Sequence, residues 1–266
     1  MHVMLTLEET DLKEVPWIHR TRREVPHLRA PELRDDVRKI AIQEWEERAR
    51  AEYIGVMIVR RFHGLLVDLN APMDLQELAL AMMVQEQQHS AMCMQAARSL
   101  GSEGELSFPL DELQQARSHE SEEVQLLKML ATTFMVGEGT AFALLKHTMQ
   151  SLPESGYREI LKQILRDEVI HSRIGQTVLG WLKGQTECAW ARYPGDDTLN
   201  GWVAEAVADL RRRDVVEAQT AEIFDDEVAA KQLPSVGISD SRTFRDAYLQ
   251  ALRVDIPQAL SDLLSA

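Results

Sequence analysis

The sequence predicts an all-α protein built on a four-helix bundle. Its 266 residues include only 9 Pro and 13 Gly, which cluster and leave long intervals between them. These intervals are rich in Leu, Ala, Glu, Gln, Arg and Met, residues with high helix propensity. Alternating β-branched runs, which would predict strands, are nearly absent. Four long helices with short or medium connections are typical of a four-helix bundle.

Proline positions organise the first part of the chain. Residues 1–30 contain prolines and many charges, and we expect them to form an N-terminal arm. A first helix is predicted over about 31–70, because Pro31 suits a first helical turn and Pro72 lies beyond the end.

Three further long helices are predicted before residue 185. The second should run over 74–101, since Asp74 is a natural N-cap and Gly101 a natural residue after a helix end. The third should lie within 109–152, in one or two pieces, with Ser118 or Ser121 able to cap the main one. The fourth should run over about 153–184.

The remaining residues predict a C-terminal helical extension. A loop over 185–197 should precede a fifth helix over about 198–232, and a shorter helix should follow Ser239. We therefore divide the chain into the arm, a bundle over 31–186 and an extension over 187–266, which should pack on the bundle within the same domain.

Composition excludes several classes of protein. The 43 Asp+Glu against 29 Lys+Arg give a net charge of −14, which disfavours a nucleic-acid partner because phosphate binding requires a basic face. No apolar run approaches the roughly 18 residues of a membrane span, and no signal-peptide pattern is visible at the start. Cys93 and Cys188 are too few for a disulfide framework, so we expect a cytoplasmic protein without a membrane partner.

The most informative motif is Glu-x-x-His, which occurs in two predicted helix interiors. The first is Glu86-Gln-Gln-His89 and the second is Glu168-Val-Ile-His171. Residues three apart share a helix face at a separation of about 5–6 Å, so a carboxylate oxygen and an imidazole nitrogen can reach one metal ion. The alternative is a pair of solvated or ion-paired side chains at the edge of the core.

Sequence context separates these two matches from a third. About one such match is expected by chance in a chain of this length, and Glu24-Val-Pro-His27 contains Pro26, which disfavours a helix interior. The other two lie within apolar stripes at helical spacing. Charged pairs in such stripes are costly to bury unless something neutralises them.

Glu138 is isolated in the apolar segment ATTFMVGEGTAFALL, with no basic residue three or four positions away. Burying a lone carboxylate is expensive, so a bound metal would explain it. Gly137 and Gly139 flank it, although each Gly in a helix interior costs about 1 kcal/mol relative to Ala. They predict room for a metal or substrate, or a local helix bulge; close helix–helix contact is the alternative.

The first helix offers several acids. Glu52 has apolar neighbours on its side of the helix, whereas Glu44, Glu46 and Glu47 belong to a charged run that we interpret as solvated. We therefore predict Glu52 as the fourth acid. In sequence, Glu52 lies close to Glu86 and Glu138 lies close to Glu168, while the interval between Glu86 and Glu138 is longer. This spacing fits two pairs of antiparallel helices joined by one crossover.

The order E…ExxH…E…DExxH resembles the ferritin-like di-iron carboxylate superfamily, over about residues 40–183. The segments MVQEQQHSAMCMQAARSLG and LRDEVIHSRIGQTVLGWL are similar to its bacterial members. The resemblance implies a ferritin-like four-helix bundle with an N-terminal arm and additional C-terminal helices. It also implies a dinuclear site of four Glu and two His, which suit Fe or Mn. The predicted metal ligands and catalytic residues are Glu52, Glu86, His89, Glu138, Glu168 and His171.

The resemblance further implies an O2-activating monooxygenase or oxidase. Two Fe ions would use O2 as co-substrate to oxidise a small or carrier-bound organic substrate, and an Mn/Fe pair also fits. Electrons would come from a separate ferredoxin or reductase, since no flavin or nicotinamide motif is visible. The identity of the substrate and the oligomeric state, a homodimer included, stay open.

Residues next to the motifs are predicted to support the ligands. Bacterial multicomponent monooxygenases place an Asp before each motif Glu to orient the opposite His. Asp167 matches that pattern and Gln85 replaces the Asp in the first motif, so both should hold imidazoles. Cys93 resembles the corresponding cysteine of soluble methane monooxygenase hydroxylase and could line the site; a small buried core residue is the alternative. Pocket or plain core positions are predicted for Phe134, Met135, Phe142, Ile164 and Met82.

Two other functions compete with this one. A ferroxidase or peroxide-scavenging protein would use the same ligands without an organic substrate, and a helical interaction protein could keep the fold without metal. The C-terminal helices favour the oxidase, because extra helices can cover a substrate entrance. The isolated Glu138 disfavours a protein without metal.

Overall fold

Helices dominate the structure, a computed structural model, and the prediction of an all-α chain is confirmed in this coarse form. No helix in the part of the chain that the structure describes combines the length and apolar character needed to cross a membrane. The described residues are 2–5, 25–109, 113, 118–184, 195–212 and 226–265.

Helices α1 (Asp35–Asp68) and α2 (Met73–Ser99) pack against each other along their lengths. Pro31 precedes α1 and does not form its first turn, which instead contains two aspartates that complement the helix dipole. The prediction of Asp74 as an N-cap is wrong, because Pro72 occupies that position and Asp74 lies inside the first turn.

The third helix is continuous but irregular. It consists of α3 (Glu122–Met129), a π-helical segment (Leu130–Glu138) and α4 (Gly139–Thr148). The Ser121 side chain caps its beginning by accepting a hydrogen bond from the Val124 amide. The helix lies within the predicted range of 109–152, and its N-cap is one of the two predicted serines.

A two-stranded sheet was not predicted. Strand β1 (His2–Leu5) pairs antiparallel with β2 (Leu106–Pro109), so part of the predicted N-terminal arm is a strand. Arg50 on α1 donates a hydrogen bond to the Ser107 carbonyl and lies over the Phe108 ring. These contacts attach β2 to the helical core, whereas strands of four residues are too short for a clear alternating pattern.

The fourth long helix, α5 (Gly156–Gly184), agrees closely with its predicted range. The predicted fifth helix is described only as α6 (Asp196–Arg212) and α7 (Glu227–Gln232), because 213–225 lie outside the described residues, as do 185–194 of the predicted loop.

The C-terminal part continues after a 3₁₀ turn, Leu233–Val236, with α8 (Ser241–Gln250). A second π-helical segment, Ala251–Asp255, then leads into α9 (Ile256–Ser265). Helix α8 and this π segment pack on α4, while α6 packs on the π segment of the third helix.

Two apolar clusters fill the interior. One joins the N-terminal half of α1 to the C-terminal half of α2 and includes the buried Trp45 and Tyr157. The other joins the opposite halves and includes Phe62 and Phe134, whose rings lie 4.5 Å apart. The buried polar residues of α2 and α5 lie between these clusters, at mid-height of the long helices.

Candidate metal centre

The structure brings all six predicted ligands together. They form two overlapping groups in which one ligand atom per residue lies within 4.8 Å of every other. Glu86 belongs to both groups, so its carboxylate can bridge two ions. The first group is Glu52, Glu86 and His89; the second is Glu86, Glu138, Glu168 and His171.

Both imidazoles direct Nδ1 towards the acids. Nδ1 of His171 lies 3.0 Å from Glu86 Oε1 and 3.3 Å from Glu168 Oε1. Nδ1 of His89 lies 3.2 Å from Glu52 Oε2 and 3.7 Å from Glu168 Oε1. The two rings are 5.9 Å apart between centroids, and Glu168 approaches both of them. Glu168 is therefore a second carboxylate that can bridge.

The opposite nitrogens of the imidazoles are joined by hydrogen bonds. His89 Nε2 lies 2.9 Å from Asp167 Oδ2, and Gln85 Nε2 donates to Asp167 Oδ1 at 3.2 Å. The Gln85 Oε1 atom is then 2.9 Å from His171 Nε2. Because an ionised carboxylate only accepts, this chain assigns the proton to Nε2 of each neutral imidazole. When the imidazoles are neutral, as metal binding requires, each Nδ1 lone pair faces the acids.

Burial and repulsion between carboxylates favour the protonated forms of Glu86 and Glu138. Burial raises the pKa of Glu86 well above its ordinary value, and the charges of Glu52 and Glu168 raise it further. Burial likewise raises the pKa of Glu138, which is repelled by Glu168 and Glu86. A divalent cation would relieve both effects by neutralising the carboxylates.

The pKa values of the two imidazoles are shifted as well. Burial alone would lower the pKa of His89, but its hydrogen bonds to Asp167 and Glu52 prevail and raise it to about 10. The pKa of His171 is raised too, against the effect of burial, mainly by Glu168. Without a metal, therefore, the cluster retains protons that ion binding must displace.

Unsatisfied polar atoms support a metal in this cluster. Among the described residues, Glu86 Oε1, Glu168 Oε2 and His171 Nδ1 are buried without a hydrogen-bond partner. Buried polar groups are normally paired, so several exceptions in one cluster need an explanation. An ion between them would coordinate all of these atoms. Carboxylate oxygens with imidazole nitrogens are a donor set for Fe, Mn or Zn.

Gly55 makes room for one of the ligands, a role that sequence reasoning missed. A Cβ atom at this position would lie 2.5 Å from Glu86 Oε2, on the facing helix α2. Any larger residue on α1 would therefore displace the carboxylate shared by both groups. The available signal was a glycine inside a helix, three residues after Glu52.

The irregular third helix positions Glu138 at the end of its π segment. The predicted bulge is therefore confirmed, and π-helical turns occur frequently at functional sites. The alternative of close helix contact also applies to Gly139, where a Cβ would lie 2.7 Å from Ile256 Cδ1. The two glycines thus accompany both a bulge and a tightly packed C-terminal helix.

A cavity of about 450 Å³ adjoins the acids of the cluster. Helices α1, α4 and α5 supply most of its apolar walls, and the C-terminal segment closes one side with Gly237, Ser239 and Phe244. Glu44 and Glu47 also line it. Glu47 is exposed, as expected for a solvated charged run, whereas Glu44 is half-buried. The apolar lining residues are Ala51, Ile58, Ala141, Leu144, Leu145, Leu161 and Ile164.

Both alternatives, pocket and plain core, occur among the apolar residues for which they were predicted. Ile164 lines the cavity, whereas Phe134, Met135 and Met82 belong to an apolar cluster of the core. Phe142 instead faces the Lys146 ammonium, 5.8 Å from its ring centroid. These positions were indistinguishable in sequence, because apolar residues on a helix serve core and cavity alike.

Cys93 is wholly buried in the core and is not among the residues that line the cavity. Burial raises the pKa of its thiol well above the usual value. Cys188, and Glu24 of the third Glu-x-x-His match, lie outside the described residues.

Comparisons with models of protein families, with curated proteins and with solved structures found no match.

Proposed function

We propose that the protein is a non-heme di-iron oxygenase or oxidase, which activates O2 and oxidises an organic substrate. In this proposal the long helices form a ferritin-like four-helix bundle that carries the metals. The observation that supports it most is the pair of overlapping ligand groups next to a largely apolar cavity. A metal site without such a cavity would give an organic substrate no place to bind.

The two ligand groups support an assignment of residues to each ion. Glu52 and His89 would hold one ion, Glu138 and His171 the other, and Glu86 would bridge them. Glu168 completes the second group and approaches both imidazoles. When bound, an iron pair would supply the one-electron and O2 chemistry that protein side chains lack. Electrons that the substrate does not provide would come from a ferredoxin or reductase.

The protein's own residues contribute orientation and exclusion of water. Asp167 and Gln85 hold the imidazoles with Nδ1 directed at the acids. With a substrate bound, the apolar walls would keep water from the reacting end of the cavity and would strengthen the electrostatic interactions there. The cavity volume of about 450 Å³ falls in the range typical of small-molecule sites.

A ferroxidase is the second candidate. Glu44 and Glu47 line the same cavity and could attract Fe²⁺ towards the cluster. A ferroxidase would continue to oxidise iron beyond the capacity of the cluster, whereas an oxidase of organic compounds would stop once its site is filled. The two functions can therefore be separated by counting oxidised iron.

Anaerobic loading with Fe(II), followed by exposure to O2, tests the proposal. We expect two irons per chain and an O2-dependent change in absorption. Glu138→Ala should reduce the bound iron, while Glu77→Ala, at an exposed position on α2, should not. Iron at background level would overturn both metal functions. Oxidation of many irons per chain would favour the ferroxidase.

A further inference from the structure

Arg48 occupies a distinctive position in the cavity. It lies on α1 one turn before Glu52, about 6 Å along the helix axis, and it lines the cavity. Its guanidinium carbon lies 5.0 Å from the ring centroid of Trp45. Trp45 is itself fixed, because its Nε1 donates to the Val236 carbonyl at 2.9 Å. The cation is therefore held in place by a buried aromatic ring.

The Arg48 guanidinium lacks a hydrogen-bond partner in the part of the chain that the structure describes. Within the described part of the chain, no residue accepts a hydrogen bond from it or forms an ion pair with it, and its Nη1 is shut off from solvent without an acceptor. Other arginines behave differently: Arg50 donates to Ser107 and Arg158 pairs with Glu154. A partly buried guanidinium with free donors is an incomplete site for an anion.

The acids near Arg48 limit the kind of anion. Glu47 accepts a hydrogen bond from Gln43 at 2.8 Å, and Glu44 is half-buried near the guanidinium. Burial raises the pKa of Glu44, and Arg48 counteracts this effect. A doubly charged phosphate would be repelled by these two acids more strongly than a carboxylate with a single charge. Arg48 is also the only basic residue among the described residues that line the cavity.

We propose that the substrate is an organic carboxylate anchored by Arg48. The planar fork of a guanidinium matches a carboxylate and can bind it through two parallel hydrogen bonds. The apolar body of the substrate would then lie along Leu144 and Ile164 and extend towards Glu138 and the metal ligands. This inference rests on the proposed oxidase, because the metal cluster defines the reacting end of the cavity.

Binding of simple probes to the Mn(II)-loaded protein tests this inference without any turnover. The probes share one chain length and differ in head group: hexanoate, hexanamide, hexylamine and hexyl phosphate. We expect hexanoate to bind most tightly in calorimetric titrations. Arg48→Gln should weaken hexanoate about tenfold or more, the effect of losing a charged hydrogen bond, and leave hexanamide unchanged.

Two further variants make the comparison specific. Arg60→Gln, which removes an exposed arginine from the same helix, should leave hexanoate binding unchanged. Arg48→Lys keeps the charge but loses the fork, so it should weaken hexanoate less than Arg48→Gln does. If Arg48→Gln fails to fold by circular dichroism, the comparison of Arg48→Lys with the wild type decides.

Unchanged hexanoate affinity in Arg48→Gln would overturn the inference, because the probe would then be binding the metals directly. Tightest binding of hexylamine would identify Glu44 and Glu47 as the anchor, and tightest binding of hexyl phosphate would overturn the class of substrate. Mn(II) stoichiometry is measured first. If no metal binds, the proposed function fails. The Arg48→Gln variant and the wild type are then compared for hexanoate binding as metal-free proteins.

Discussion

Gln85 on α2 donates a hydrogen bond to Asp167 on α5, with 3.2 Å between Nε2 and Oδ1. This bond joins two imidazoles that are far apart in sequence, because Gln85 also contacts His171 and Asp167 also contacts His89. Each histidine is thereby oriented by the residue that precedes the glutamate of the other motif. The two hydrogen-bond acceptors differ in charge: a carboxylate accepts from His89 Nε2, and a neutral amide accepts from His171 Nε2.

Replacing Gln85 should weaken metal binding without removing a ligand. In Gln85→Leu, His171 loses the acceptor of its Nε2 proton. Mutation of a residue that hydrogen-bonds a metal ligand typically lowers metal affinity about 10–100-fold. Mn(II) titration measures the effect. Gln87→Leu alters an exposed glutamine on the same helix and should bind Mn(II) normally. Equal affinities in the two variants would show that the hydrogen-bond chain does not support the ligands.

Adding a methyl group at Gly55 should disturb the shared carboxylate. The new Cβ in Gly55→Ala would approach Glu86 Oε2 to 2.5 Å, so we expect weaker Mn(II) binding and a loss of about 1–3 kcal/mol in the free energy of unfolding. Denaturant titration and metal stoichiometry measure the two effects.

Gly64 offers the matched control on the same helix. A Cβ there meets nothing within 4 Å, so Gly64→Ala should stabilise the protein by about 0.4–1 kcal/mol and leave metal binding intact. A Gly55→Ala protein with normal stability and normal metal affinity would refute the steric role of Gly55.

Most of the candidate metal ligands were predictable from the sequence, because the signals for them lie within single helices. Helical spacing places Glu and His of one motif on the same face, and Glu138 is the isolated acid of the third helix. The contribution of Phe244 to the cavity was not predictable, because it depends on how the C-terminal segment folds back. The same holds for Gly55, whose importance comes from an atom on another helix.

The cluster should exchange protons for metal. The pKa of His89, about 10, exceeds its ordinary value of 6.5, so its contribution to the stability of the metal-free protein is complete below pH 6.5 and lost as the pH rises through about 10. The raised pKa values of Glu86 and Glu138 act in the same direction. The metal-free protein should therefore lose stability as pH rises, while Mn(II) affinity increases.

Proton release on Mn(II) binding, followed with a pH indicator in weak buffer, checks this linkage. Thermal unfolding of the metal-free and Mn(II)-loaded protein across the same pH window gives an independent measure. Metal binding without proton release, or a metal-free protein whose stability rises with pH, would contradict the assigned protonation.

Neutralising Glu138 should change stability and metal binding in opposite directions. Glu138→Gln replaces a half-buried carboxyl whose ionisation is disfavoured by burial and by the charges of Glu168 and Glu86, so above the raised pKa of that carboxyl the metal-free protein should gain about 0.5–2 kcal/mol in unfolding free energy. The same change should reduce bound metal, since one ligand group loses a carboxylate. Glu77→Gln on the surface should change neither quantity. A destabilised metal-free Glu138→Gln protein would mean that the carboxylate serves the fold itself.

The most direct test of the central claim locates the metals. Crystals of the Fe(II)-loaded protein, measured at the iron absorption edge, should give two peaks of anomalous density between the long helices, near the midpoints of their lengths. One peak should contact His89 and Glu52, the other His171 and Glu138, with Glu86 between them. Absence of peaks at these residues, in crystals of protein exposed to excess Fe(II), would contradict the account.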